Sequence, residues 1–211
     1  MHLRRWICAG LSLALAGPAI VAAQESGAAN AQKPFLPTQV SPADSLNALL
    51  NGLEIEVVGA AEAMPAEKYD FSPSASMGEY KGVSTFGEQV KHLAEANYEF
   101  FHGWGLPNEV DPKTIATLKT KDDIVKALRT SYAYAHAAVN SVTPENAFMS
   151  VPGPANRKPT RASMVAFCMA HSMDHYGQLV EYLRMNGIIP PASRRPANRP
   201  QQQGTGTGSS R

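Results

Sequence analysis

Two histidines four residues apart, His171 and His175 in the stretch HSMDHYGQ, are the residues best placed to do chemistry. Side chains at i and i+4 of a helix stand about 6 Å apart at their Cβ atoms, so both imidazoles can reach one ion. Met164, Cys168, His171, His175, Leu179 and Tyr182 recur at three- and four-residue spacing, which puts the pair on the core-facing stripe of one helix. Imidazoles facing a core need partners, because an unpaired buried polar group costs about 1–3 kcal/mol. A shared divalent ion satisfies both. The residues between them are Ser172, Met173 and Asp174, so the glutamate of the H-E-x-x-H metalloprotease pattern is missing and that reading falls.

A third donor must come from another element, and His92, His102 and His136 are the imidazoles available. His92 is preferred because it sits mid-helix between the core positions Gln89 and Leu93, whereas His102 falls near a helix end and His136 lies on the flank of its stripe. Gln178, three residues after His175, shares the face of the pair. It either orients bound water or substrate or makes a hydrogen bond between helices. Cys168, one turn before His171, reads as a small buried hydrophobe rather than a ligand. Tyr69 and Phe71 are expected to plug the packing rather than touch substrate.

Four helices must position these groups. Ser41-Pro42 offers an N-cap followed by proline at the first helical position, and the apolar stripe Leu46, Leu49, Leu50, Leu53, Val57, Ala60/Ala61 runs from there to Pro65. Residues 66–83 have no sustained period and read as an ordered connection. Ser84 or Thr85 caps a second helix that runs to about Gly103, with Glu88 spaced for a capping box from Thr85 and the stripe Phe86, Val90, Leu93, Asn97, Phe100/Phe101 and Trp104. GLPNEVDP follows as a loop; a third helix begins at Thr120 with Ile124, Leu128, Ser131, Ala135 and Ala138/Val139 on its buried face. Pro144, Pro152, Gly153 and Pro154 make residues 143–158 a loop, and the fourth helix runs from the Thr160 cap to Asn186, stopped by Gly187 and Pro190-Pro191.

The first residues stand apart. Arg4 and Arg5 precede an apolar run from Trp6 to Ala23 that ends in the small-x-small exit Val21-Ala22-Ala23, the pattern of a signal peptide over residues 1–23. An uncleaved membrane anchor is the alternative, since the run approaches the roughly 20 residues of a spanning helix. Residues 24–40 read as a flexible linker, 41–191 as the folded domain, and 192–211 as a disordered tail. Removing Arg4 and Arg5 takes the 19 Lys+Arg to 17 against 18 Asp+Glu, so the mature formal charge is near −1 and lacks the basic excess that nucleic acid rewards. The mature chain keeps Cys168 alone and therefore forms no internal disulfide.

KHLAEANYEFF in the second helix and HSMDHYGQLVEYLRMNGIIPP in the fourth, with EKYDFSPS after the first, resemble the corresponding segments of DinB-like proteins, a likeness spanning roughly residues 41–191. The resemblance implies an all-α, four-helix bundle in up-down-down-up order. It also implies a divalent ion, zinc or nickel, held by one histidine of the second helix and a pair from the last, which fall on His92, His171 and His175. Relatives include transferases of low-molecular-weight thiols. Three neutral imidazoles leave such an ion with its charge uncompensated and a position open for water or substrate. Each imidazole then needs its other nitrogen held, and Glu88, Glu95, Asp174 and Glu181 are the carboxylates at hand. Reduced thiols are scarce outside the cytoplasm, so for a periplasmic or secreted chain a metal-dependent hydrolase stands beside the thiol transferase. A non-catalytic periplasmic metal- or ligand-binding bundle is the alternative. The expected partner is a small molecule, with no nucleic acid, no membrane after signal cleavage, and homodimer formation open to such bundles.

Overall fold

Helix boundaries follow the caps. The computed structural model describes residues 38–152 and 158–194. Helix α1 (Pro42–Ala63) starts behind Ser41, whose hydroxyl accepts from the Asp44 N–H at 3.0 Å. Helix α2 (Phe86–Phe100) opens on a reciprocal capping box. There the Glu88 N–H donates to Thr85 Oγ1 at 3.2 Å and the Thr85 N–H donates to the Glu88 carboxylate at 2.7 Å, so Thr85 rather than Ser84 is the cap. That carboxylate, bonded by the Thr85 N–H, is held below the usual range. Thr85→Ala should cost about 1 kcal/mol, read as a melting temperature lower by roughly 2–4 °C.

A short helix, α3 (Pro112–Ala116), forms where a loop is expected. Asp111 accepts from the Lys113 N–H at 3.0 Å and Pro112 takes the first helical position, the same device that starts α1. Five residues that bury only Ile115 carry too little periodicity to be read as a helix. Helix α4 (Lys121–Asn140) is capped by Thr120 and helix α5 (Arg161–Met185) by Thr160. The chain leaves α5 through Gly187 at φ 73°, a left-handed conformation that glycine adopts without Cβ strain. Pro191–Ser193 then makes a 3-10 turn that returns to α1, with the Pro191 ring 3.6 Å from where a Cβ on Gly59 would stand.

Among the described residues the structure is all-helical, with a single isolated antiparallel bridge between Ser150 and Thr160. Helices α4 and α5 each pack against both α1 and α2, which sets α1 opposite α2 and α4 opposite α5. Phe86, Val90, Leu93, Leu128 and Leu179 are fully enclosed between them, as their spacing predicts, and Tyr132 and Leu183 join them. Leu49 departs from expectation at 64% exposed. It neighbours Leu50, and at 100° per residue the buried face of α1 takes Leu50, Leu53 and Val57 and turns Leu49 outward.

The connection between α1 and α2 is ordered, with 3-10 turns at Ala66–Lys68 and Ala75–Met77. Tyr69 anchors it: its hydroxyl donates to the Ala61 carbonyl at 2.7 Å and its ring meets Phe86 edge-on at 5.3 Å. Gly87 permits this approach, since a Cβ there would lie 3.1 Å from the Tyr69 ring and 3.2 Å from its carbonyl oxygen. Phe71 packs edge-on against Tyr182 of α5 at 5.7 Å. The connection is thereby pinned to both helices that carry the histidines. No helix among the described residues is long and apolar enough to cross a membrane. The expected signal peptide (1–23), the linker up to residue 37 and the tail from residue 195 lie outside the described residues.

Candidate metal centre

Helices α2 and α5 pack side by side, and their facing turns bring His92, His171 and His175 together. One ring nitrogen from each lies within 4.8 Å of the others, an arrangement that could hold a metal ion. Ring centroids are 5.0 Å apart for His92 and His171, 4.8 Å for His92 and His175, and 4.5 Å for His171 and His175. His92 Nε2 and His171 Nε2 approach to 3.1 Å. Two nitrogens bound to one tetrahedral zinc at about 2.0–2.1 Å would stand roughly 3.3 Å apart, so this spacing already suits a shared ion.

The placement of these rings differs from the expected core-facing stripe. His171 and His175 are half-buried and His92 is exposed, so the cluster sits at the rim of the bundle, open to solvent. The core stripe of α5 passes through Cys168, Ser172 and Leu179 instead. Phe100 meets the His171 ring edge-on at 5.1 Å and Phe167 packs against Phe100 at 5.2 Å, giving the cluster an apolar flank.

His171 Nδ1 is buried with no hydrogen-bond partner. Burial, then the neighbouring His175 and His92, push the pKa of His171 down to about 4. Burial and His92 lower that of His175 as well. His171 and His175 are therefore neutral imidazoles near pH 7, with lone pairs free for a cation. Unfolded histidine titrates near pH 6.5, so as pH falls the unfolded chain binds its proton first. The titration of His171 thus costs the fold nothing above about pH 6.5 and destabilises it increasingly as pH falls toward about 4. Its half-exposed ring limits the effect to about 1 kcal/mol after solvent screening. Denaturant unfolding of metal-free protein from pH 7 to pH 4 should show this loss, and His171→Ala should flatten it.

The other ring nitrogen of His175 is held by an amide. His175 Nδ1 donates to Gln89 Oε1 at 2.6 Å, Gln89 Nε2 donates to Gln178 Oε1 at 2.7 Å, and Gln178 Nε2 donates to the Asp174 carboxylate at 3.1 Å. This chain crosses from α5 to α2 and back and ends on a negative charge. It fixes the tautomer that leaves His175 Nε2 as the free donor. Gln178, expected on the site face, makes the hydrogen bond between helices and also lines the adjoining cleft. Gln89, the partner of His175, is the residue that the sequence pattern did not single out. Its signal was present: an amide at a core position of the second helix needs a partner.

The remaining candidates lie elsewhere. Cys168 donates to Asn97 Oδ1 at 3.4 Å inside the core, and burial pushes its thiol up to about 12. His102 pairs with Glu109 at the surface. His136 has both nitrogens engaged, Nδ1 with Asn47 Oδ1 at 2.6 Å and Nε2 with Glu54 Oε2 at 3.0 Å. Of the four carboxylates at hand, Glu88 closes the α2 capping box and Asp174 ends the amide chain.

A family model described as DinB superfamily matches residues 55–179, a span that includes all three histidines, Gln89 and Gln178. In fold the chain is similar to a DinB-like protein from Bacillus cereus, at 16% identity and a TM-score of 0.60 over 70% of this chain and 95% of that one. A DinB-like protein from Bacillus subtilis is similar at 19% identity and a TM-score of 0.54, over 72% of this chain and 99% of that one. No curated protein matches the sequence.

Proposed function

The chain belongs to the DinB superfamily, and from that footing we propose that it is an exported metal-dependent enzyme of hydrolase or thiol-transferase type, its ion held by His92, His171 and His175. One observation carries the reading: three imidazoles converge within 4.8 Å, with His92 Nε2 and His171 Nε2 already 3.1 Å apart. Without an ion, His92 Nε2 and His171 Nε2 at 3.1 Å can share only one proton in a hydrogen bond, with the His175 ring edge-on beside them. With one, each donor faces the charge it suits. All-nitrogen donors favour zinc or nickel over magnesium or calcium.

When bound, the ion would supply Lewis-acid activation of water or of a substrate thiol. The protein's own groups then have distinct tasks. His92, exposed, keeps the cluster accessible from solvent. Gln89 holds His175 in one tautomer, and Phe100 and Phe167 give the His171 side an apolar flank. Among the described residues three donors converge rather than four, which leaves a tetrahedral ion a position for substrate and favours turnover over storage. An up-down-down-up order of the four long helices and a signal peptide directing the chain to the periplasm or outside the cell complete the proposal.

Elemental analysis of protein purified from its native compartment tests it. The expected result is close to one zinc or nickel per chain, with a melting temperature that falls when a chelator strips the ion and recovers when it is restored. Protein that contains no divalent metal, and whose melting temperature ignores added zinc and nickel, would falsify the reading.

A further inference from the structure

A cleft of about 600 Å³ opens beside His175, between one face of α5 and the connection that Tyr69 and Phe71 pin down. We infer that it binds a small molecule with an apolar body and a protonated amine, the amine against Glu181 and the other end toward the histidines. Calling that molecule the substrate rests on the metal-centre reading; the binding itself does not.

Charge carries the first part of the argument. Asp174 and Glu181 line the cleft, and no lysine or arginine does. Neither carboxylate makes an ion pair among the described residues. Asp174 accepts from Gln178 through one oxygen, whereas Glu181 is exposed in the cleft wall with both oxygens available to a ligand. A cleft lined by one sign of charge concentrates ligands of the other and repels carboxylates and phosphates. Its remaining surface is chiefly apolar, from Val83, Met185 and the Tyr80 ring, and an aromatic face also receives a cation.

Gly177 supplies an independent observation. It lies inside α5, where glycine weakens a helix, and it lines the cleft. A Cβ there would meet nothing within 4 Å and its φ does not require glycine, so the missing side chain leaves the exposed α5 backbone open to the cleft. An occupant can therefore lie close along the helix. Glu181 is six residues beyond His175, about 9 Å of helical rise, which sets the length between the amine and the end that reaches the cluster.

Calorimetric titration with 4-phenylbutylamine and with the matched anion 4-phenylbutanoate, near neutral pH, tests the inference on metal-free and on zinc-treated protein. The amine is expected to bind at least tenfold more tightly than the carboxylate in both forms. Glu181→Gln should weaken the amine tenfold or more. Gly177→Leu should abolish binding while leaving the melting temperature unchanged or raised and the metal content unaltered. Equal or tighter binding of 4-phenylbutanoate, or amine affinity indifferent to both substitutions, overturns the inference. A protein that binds the amine as described but takes up no metal keeps the cleft and loses the metal centre, so the two failures are distinguishable.

Discussion

Alanine at His171 should remove metal binding without destabilising the metal-free protein near neutral pH. The first half follows from losing one of three donors. Altering a group that merely supports a ligand costs about 10–100-fold in affinity, and loss of the ligand itself should cost more than about 100-fold. The second half follows from the state of His171 without an ion. Its Nδ1 is buried and unpartnered, a condition worth about 1–3 kcal/mol against the fold. The half-exposed ring also leaves little enclosed void when removed, so the usual penalty for a buried cavity is small. Melting curves with and without zinc separate the terms. Wild type should gain about 2.7 kcal/mol at a free zinc concentration 100 times the dissociation constant, and His171→Ala should gain almost none under the same conditions. A variant that loses several kcal/mol in the metal-free state, yet binds zinc as before, would show that the ring is there for packing.

Gln89→Leu should weaken metal binding by about 10–100-fold with the three ligands intact. Leucine fills a similar volume at a position only 4% exposed but offers no acceptor to His175 Nδ1. Two consequences follow together. His175 loses the partner that selects its tautomer, and Gln178 loses the donor that holds its carbonyl oxygen. Gln89→Glu restores an acceptor at the same place, so it should recover affinity to within about tenfold of wild type. Titration of metal into the three proteins decides the matter, and equal affinities throughout would assign Gln89 to packing alone.

Much of the architecture was legible because its causes are local. Ser41, Thr85, Thr120 and Thr160 cap the helices from within three residues of the groups they satisfy, and all four are recognisable in the sequence. The short α3 shows the limit of that logic, since its cap signal Asp111-Pro112 was present but its single buried side chain, Ile115, made no pattern. Leu49 shows another. Periodicity places adjacent residues only to within about one position, and packing decides which neighbour goes in.

The histidine site divides along the same line. Residue types and helical spacing alone determined that His171 and His175 stand as a pair, because i and i+4 are neighbours on any helix whatever surrounds it. Only the tertiary structure decided that His92, at the exposed rim of α2, lies 3.1 Å from His171 Nε2, that Gln89 rather than a carboxylate holds His175, and that a cleft lined by Asp174 and Glu181 opens beside them. Those outcomes depend on the axial register and rotation of α2 against α5. Register and rotation are set by how Phe86, Val90 and Leu93 pack against Leu179 and Leu183, interactions across more than 80 residues of chain that no local pattern encodes.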